Sequence, residues 1–308
     1  MSTEQAGRSA LSAIDSAEVW LSSEPLTAEG LHGRVVLVDF WTYSCVNWLR
    51  TLPYVRAWEE RYRDRGLVLI GAHAPEFGFE HDLENLRRAT RELGVGYPVV
   101  VDNGFTIWRS FENHYWPAVY LLDRDGEVRF HHFGEGAYEE TERAIQQLLG
   151  VEEEVVRVDA GGVAEAADWE TLGSPETYLG SARGERRSDP RASGLALNHW
   201  ALAGAWSVGG EAAVLDAPAG SVAYRFQARD LNLVLAPPAP DAPVRFSVRL
   251  DGQPPGDAHG LDVDAAGEGA VSEPRMYQLV RQRTAAGERD FEITFLDPGV
   301  RAYVFTFG

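Results

Sequence analysis

The chain has 308 residues, of which 44% are hydrophobic, and its formal net charge is −19 with a pI near 4.8. This length supports two domains with their own cores, and the negative charge argues against nucleic acid or an anionic membrane surface as a partner. Residues 1–17 are small and polar and predict a flexible lead-in, without the basic region or apolar run of a signal peptide. No stretch of 18 apolar residues occurs, so we expect a cytoplasmic protein that does not bind a membrane.

The central feature of the N-terminal half is a strand that leads directly into an amphipathic helix. Residues 35–41 form a β-branched and aromatic run typical of a buried strand. The apolar residues from Trp48 to Val55 then recur at helical spacing, and Pro53 is expected to kink this helix. Cys45 therefore lies where the strand gives way to the helix, and there the backbone N–H groups and the helix dipole favour a thiolate.

The remaining elements of this half predict a layered α/β domain over residues 18–150. Strands and helices alternate, and a tight turn at Asp125-Gly126 makes a hairpin before the last helix. The predicted elements are strands at residues 67–70, 97–101, 118–122 and 127–133, and helices near residues 83–93 and 138–148.

The composition changes after residue 150. Residues 151–170 are acidic and rich in Gly and Ala, which predicts a linker, and residues 155–158 within it have the pattern of a short strand. Residues 171–308 contain short alternating runs separated by turns rich in Pro, Gly and Asp, which predict a β-sandwich or jelly roll. The predicted strands are at residues 222–228, 231–236, 244–250, 275–280, 291–296 and 302–307.

The segment around Cys45 resembles the active-site segment of thioredoxin-fold proteins of the TlpA/redoxin type. Asp39 stands six residues before the cysteine, and Pro53 stands eight residues after it. Where that segment normally has Cys-x-x-Cys, this chain has Cys45-Val46-Asn47-Trp48. Because Cys45 is the only cysteine, no disulfide can form within the chain, and the dithiol cycle of the family is excluded.

Segments in both halves are similar to the thioredoxin-like C-terminal region of DipZ-type thiol–disulfide transporters. The resemblance implies an α/β thioredoxin-like domain followed by an all-β sandwich, jelly-roll in form and similar to a carbohydrate-binding module. The segments that carry it are residues 30–54, 73–77, 115–121, 133–136, 176–180, 250–252, 277–280 and 305–308.

Two residues are implied to take part in catalysis, Cys45 as the nucleophile and Asp39 as a proton-transfer group. Asp39 matches the buried carboxylate that thioredoxins place under the resolving cysteine. With Trp48 in the place of that cysteine, we expect Asp39 to serve Cys45 through a water or to be a buried carboxyl group with a raised pKa. Arg50, one turn into the helix, could support a thiolate or a bound peroxide through its charge, but we expect it to be a solvated surface charge.

The resemblance also implies a groove for substrate beside the cysteine. Pro117 matches the cis-proline that faces the cysteine in thioredoxin folds, so Trp116 would lie next to Cys45. Thr42, which belongs to a Thr-x-x-Cys pattern also found in peroxiredoxins, and Trp48 complete the predicted groove. Core packing is the alternative for these tryptophans.

Two functions of different classes follow from these residues. In the first, Cys45 is the nucleophile of a monothiol oxidoreductase or peroxidase, and its partners are a peroxide, a low-molecular-weight thiol or a peptide thiol. In the second, the protein is a non-catalytic binding or scaffold protein and Cys45 is a packing residue. A third alternative is that a partner protein supplies the missing cysteine.

The sandwich is a candidate for a glycan or protein ligand, but no residue selects one. Its aromatic residues suit either sugar stacking or core packing. We expect no metal ion and no cofactor, since adjacent histidines on a strand point to opposite faces. The candidates for stacking are Tyr178, Trp200 and Trp206.

Overall fold

The computed structural model of the protein describes residues 11–189, 194–283 and 287–308. The chain divides into two units, Met1–Ala164 and Glu165–Gly308, and this boundary falls inside the linker predicted over residues 151–170. The predicted order, an α/β unit followed by an all-β unit, is confirmed. Among the described residues, no helix has both the length and the apolar character needed to span a membrane.

A mixed six-stranded sheet forms the centre of the first unit. Its strands are β1 (Trp20–Leu21), β2 (Val35–Trp41), β3 (Leu67–His73), β4 (Val99–Val101), β5 (Ala118–Leu122) and β6 (Val128–Phe133). They are ordered β1-β4-β3-β2-β5-β6, with β2, β3 and β4 parallel and the other neighbours antiparallel. Every residue of β2 is buried, as its apolar sequence predicts for a central strand.

Within residues 11–164, five α-helices have defined bounds. They are α1 (Ala28–Leu31), α2 (Val46–Tyr62), α3 (Leu83–Glu92), α4 (Thr106–Ser110) and α5 (Tyr138–Leu149). The helix α2 begins directly after Cys45 and continues through Pro53 to Tyr62. A short 3-10 turn follows, and Gly66, with a φ of 103°, takes the left-handed conformation that lets the chain enter β3.

The segment after α5 differs from the prediction, since residues 155–158 do not form a strand. The backbone N–H of Val156 donates instead to the carboxylate of Glu142 on α5, at 3.0 and 2.8 Å from its two oxygens. The buried Glu142 also accepts hydrogen bonds from Trp58 and Tyr62 of α2. A side chain therefore supplies the acceptor that a strand would have provided.

Two antiparallel sheets make up the second unit. Their strands are β7 (Thr177–Tyr178), β8 (Trp200–Ala203), β9 (Trp206–Val208), β10 (Ala213–Leu215), β11 (Gly220–Gln227), β12 (Asp230–Ala236), β13 (Val244–Leu250), β14 (Glu268–Val271), β15 (Arg275–Arg281), β16 (Glu288–Phe295) and β17 (Arg301–Phe307). One sheet has the order β15-β12-β17-β10-β9 with β7 against β17, and the other has the order β14-β13-β16-β11-β8. Buried residues from both sheets, among them Leu233 and Phe246, form one hydrophobic core, as expected for a sandwich.

Candidate functional site

Cys45 lies at the start of α2, where it is the N-cap residue and is partly buried. Its backbone N–H donates to the carbonyl oxygen of Thr42 at 3.3 Å, and its own carbonyl accepts from the N–H of Leu49 at 3.0 Å. Its sulfur lies 3.8 Å from the carbonyl oxygen of Trp116. The helix α2 has 17 residues, and the positive end of its dipole lies at Cys45 because this residue is the N-cap. A partly exposed thiol in this position is favoured as the thiolate.

Trp48 fills the place where thioredoxins have their second cysteine. Its indole Nε1–H donates to Oδ2 of Asp39 at 3.0 Å, and both side chains are completely buried. The indole also stacks on Trp41, with ring centroids 4.2 Å apart and an interplanar angle of 21°. Trp48 is thus directed into the core toward the sheet, where it replaces the thiol as the hydrogen-bond donor to Asp39.

Asp39 has an ionisation that is strongly shifted by this environment. Burial raises the pKa of its carboxyl group from 3.8 to about 7, and the Trp48 indole and the nearby Tyr97 hydroxyl act in the opposite direction. Its second oxygen, Oδ1, has no hydrogen-bond partner within the described part of the chain. A carboxyl group of this kind can exchange a proton near neutral pH.

His73 lies on the same face of the sheet and carries no charge at neutral pH. Its ring meets Trp41 edge to face at 5.0 Å and stacks against Tyr43 at 5.9 Å. Complete burial lowers the pKa of this histidine to about 3. His73 therefore supplies no positive charge that would stabilise a thiolate at Cys45.

A second buried carboxylate, which the sequence analysis did not identify, holds the residue before Cys45. The hydroxyl of Ser44 donates to Oε1 of Glu80 at 2.6 Å. Oε2 of Glu80 accepts from the backbone N–H groups of Glu76 at 2.5 Å and Phe77 at 3.0 Å. Burial raises the pKa of Glu80 to about 7, and the Ser44 hydrogen bond opposes this shift. Residues 73–77 carried part of the resemblance, but no local pattern marked Glu80 as buried.

The expectation for Arg50 is wrong, because this side chain is buried and paired. Its Nη1 lies 2.9 Å from Oε1 of Glu135, and the two side chains are only 2% and 7% exposed. Burial raises the pKa of Glu135, while the charge of Arg50 opposes the shift. Because Gly134 donates its N–H to the carbonyl of Pro117 at 2.8 Å, the ion pair secures α2 to the loop that adjoins this proline.

Of the predicted groove residues, Trp116 is partly exposed, whereas Thr42 and Trp48 are buried. The Trp116–Pro117 peptide bond is cis, as the resemblance implied. Trp116 is partly exposed and donates its indole N–H to the carbonyl of Ala74 at 3.0 Å. The side chains of Thr42 and Trp48 are completely buried, and so neither offers a surface that a ligand can contact in this conformation. The groove roles of Trp116 and Pro117 stay predictions.

Exposed aromatic rings continue the surface next to Trp116. Tyr115 is 54% exposed and Phe133 is 40% exposed, and their ring centroids lie 5.1 Å apart. The two rings form a small exposed apolar surface beside the cis-proline, which a ligand could contact.

The structure also places the candidates for metal and sugar binding. Within residues 11–189, 194–283 and 287–308, no group of three or more His, Cys, Asp and Glu side chains could hold a metal ion. Trp200 is buried in the sandwich core. Trp206 packs partly against that core, and Tyr178 lies under the guanidinium of Arg183 at 3.8 Å from the ring centroid. No sugar site follows from these positions.

Comparison with known proteins finds relatives for both units. The family described as "Thioredoxin like C-terminal domain" matches residues 174–308. The protein DipZ of Mycobacterium bovis is 34% identical over 232 residues, which are 70% of this chain and 33% of DipZ. The thiol-disulfide oxidoreductase YkuV of Bacillus subtilis is 28% identical over 133 residues, which are 43% of this chain and 88% of YkuV.

A solved thioredoxin-like protein, determined in solution in its oxidized form, is 28% identical to this chain. The match covers 44% of this chain and 91% of that protein, with a TM-score of 0.40. The chain spans about one third of the length of the DipZ relatives that it matches.

Proposed function

Because the chain is a thioredoxin-like protein that resembles the DipZ-type proteins, we propose that it is a monothiol redox protein that works through Cys45. The observation that supports this most is the position of Cys45, partly exposed at the N-terminus of α2. Trp48 occupies the place of the second thiol, so every covalent step passes through one sulfur.

The proposed reaction is thiol–disulfide exchange with a low-molecular-weight disulfide or a mixed disulfide. The Cys45 thiolate attacks one sulfur of the disulfide, a new S–S bond forms at Cys45, and the other sulfur leaves as a thiolate that takes a proton from water. A second thiolate from outside the chain then attacks the adduct, restores Cys45 and leaves in a new disulfide.

A peroxide is the alternative oxidant for the same sulfur. The thiolate attacks one peroxide oxygen, the O–O bond breaks, and Cys45 becomes a sulfenic acid, while the other oxygen leaves as hydroxide or alkoxide and takes a proton from water. An external thiol then condenses with the sulfenic acid to a mixed disulfide and water. We assign Asp39 the role of proton-transfer group, supported by its complete burial behind Trp48 and its pKa of about 7.

The first test is intact-mass analysis after incubation with glutathione disulfide. We expect one glutathione adduct on the wild-type chain, which persists after dilution and disappears when reduced glutathione is added. Cys45→Ser is the control and should gain no mass. A wild-type mass that stays unmodified for hours at neutral pH would contradict the proposal.

Two variants of Trp48 test why the adduct should persist. Trp48→Cys restores a thiol one helical turn from Cys45, and we expect it to release glutathione without added thiol. Trp48→Ser creates a similar cavity without a thiol, so its adduct should persist as in the wild type. Equal persistence in both variants would show that the missing thiol does not explain the behaviour of the site.

A binding function without catalysis is the second candidate. It is supported by the exposed pair of Tyr115 and Phe133, which continues the surface of Trp116. In this case a peptide or protein partner occupies the aromatic surface and Cys45 only packs beside it. Peptide binding that survives Cys45→Ser but is lost in Tyr115→Ala would favour this function over thiol exchange.

A further inference from the structure

A buried carboxylate connects the loop before Cys45 to the turn that follows β3. We propose that Glu80, acting through Ser44, is a positioning residue that holds Cys45 at the N-terminus of α2. This inference rests on the proposed function, because it concerns the sulfur that would carry the reaction.

The carboxylate of Glu80 is held in place by the backbone of its own turn. Its side chain is completely buried, and Oε2 accepts from the backbone N–H groups of both Glu76 and Phe77. Two backbone donors on one oxygen fix the orientation of the whole carboxylate, so Oε1 points in a defined direction. The Ser44 hydroxyl binds Oε1 at 2.6 Å and is itself 2% exposed.

The loop is held at a second point as well. The Tyr43 hydroxyl lies 3.4 Å from the carbonyl oxygen of Phe79, on the same turn as Glu80. Two consecutive loop residues, Tyr43 and Ser44, therefore contact residues 79–80 immediately before the chain reaches Cys45. The direction in which Cys45 enters α2 is thus set by one side chain, Glu80, and one backbone carbonyl, that of Phe79, on a turn that lies 36 residues later in the chain.

This arrangement affects chemistry because the helix terminus acts over a short range. The favourable interaction of an anion with a helix N-terminus falls off within the first turn. A loop that is free to move lets the sulfur leave that region, and the thiolate then loses part of its stabilisation. Fixing Ser44 keeps the sulfur close to the N–H groups of α2.

The test compares the rate at which iodoacetamide alkylates Cys45 in three variants at pH 8, where Glu80 is mostly ionised because its pKa is about 7. Ser44→Ala removes the hydroxyl, and we expect the rate to fall by about two- to fivefold, the size of a helix-terminus interaction. Ser44→Thr keeps a hydroxyl and should restore a rate close to the wild type. Glu80→Ala removes both acceptor oxygens and should slow the reaction like Ser44→Ala.

Thr90→Val is the matched control. It removes a buried hydroxyl that bonds to the carbonyl of Leu86 at 2.7 Å within α3, away from Cys45, and should leave the rate unchanged. Urea midpoints and the hydrogen exchange of the amides at residues 42–49 are measured alongside. Faster exchange at residues 42–49 with a slower alkylation in Ser44→Ala supports the proposal.

The positioning role of Glu80 is overturned if Cys45 in Ser44→Ala is alkylated as fast as in the wild type or faster. Glu80 would then only stabilise the turn. The same holds if Ser44→Thr fails to restore the rate. Alkylation does not require disulfide exchange, so a wild-type chain that is alkylated but forms no glutathione adduct would contradict the proposed function alone.

Discussion

Asp39 shows at the scale of one residue how burial changes a carboxyl group of the site, even with the Trp48 indole bound to it. A completely buried carboxyl group that receives one indole hydrogen bond keeps a pKa near 7 instead of its ordinary 3.8. Between pH 3.8 and about pH 7, Asp39 therefore keeps its proton in the folded chain but has lost it in the unfolded chain. The contribution of Asp39 to stability is most favourable at acid pH and declines as the pH rises toward 7.

We predict that Asp39→Asn becomes progressively more favourable, relative to the wild type, as the pH rises. The amide retains an oxygen that can accept the Trp48 indole hydrogen bond but cannot ionise. The difference in unfolding free energy, variant minus wild type, should increase by about 2 kcal/mol between pH 5 and pH 8. Urea unfolding at a series of pH values measures it.

The difference is the informative quantity because other buried groups titrate in the same range. The pKa of His73 is lowered to about 3, so this residue adds stability as the pH rises, while Glu80 acts like Asp39. Both are common to the wild type and the variant and cancel in the subtraction. A difference that is flat with pH would mean that Asp39 keeps an ordinary pKa in the folded chain.

The individual site residues separate into those that a local pattern can predict and those that it cannot. Cys45, Asp39 and the cis peptide bond at Pro117 follow from short motifs. Ser44 and Glu80 do not, since neither belongs to a motif and their hydrogen bond joins residues 36 positions apart. Trp48 was recognised as the replacement for a cysteine, but the sequence contains no signal for whether an indole points to solvent or into the core.

At the scale of elements, α2 is secured to the loop after β6 by a buried ion pair. Arg50 and Glu135 are 85 positions apart in the sequence, yet their charged atoms lie 2.9 Å apart with little exposure. Removing one partner leaves the other charge buried without compensation, which costs more than the pair itself contributes.

We predict that Arg50→Met lowers the unfolding free energy by about 3 kcal/mol, and that Glu135→Leu has a similar effect. The double variant should lose clearly less than the sum of the two, because it leaves no buried charge unpaired. A complete double-mutant cycle by urea unfolding measures the coupling. Strictly additive losses would show that the two side chains do not interact.

The long helices and strands could be predicted from the sequence, whereas the shortest helices could not, because a periodic pattern needs several turns to appear. The strand β2 has a long β-branched and aromatic run, and the helix α5 has apolar residues at helical spacing over 12 residues. The helix α1 has only 4 residues and α4 only 5, too few for a helical pattern to appear. The kink at Pro53 stays a prediction. The helix α2 continues past this proline to Trp58 and Tyr62, whose hydrogen bonds to Glu142 hold its second half in place.

At the scale of the whole molecule, the second unit has a hydrophobic core of its own. The core residues, from Leu179 to Phe307, come from its strands and the loops between them, and among the described residues these strands pair with one another. Within this unit, the buried Asp230 is bound by Arg229 and Arg281, and both of these also pair with Glu165 at the start of the unit.

We predict that residues 165–308, expressed alone, unfold cooperatively in urea and keep the near-ultraviolet circular dichroism of a packed core. The stability of the piece should depend on the residue at which it begins. A piece that starts at residue 174, where the family match begins, lacks Glu165 and also Leu172, which packs against the sandwich core. It further lacks the N–H of Gly173, which donates to the carbonyl of Gln227 at 2.8 Å.

The shorter piece should therefore be less stable by about 1–2 kcal/mol, mostly through the lost burial of Leu172, since a partly exposed ion pair contributes less than about 1 kcal/mol. The variant Glu165→Gln in the longer piece separates these two causes and should change stability only slightly. Equal stability of the two pieces would place the start of the folding unit at residue 174. A longer piece that unfolds without cooperativity would show that its core is not sufficient by itself.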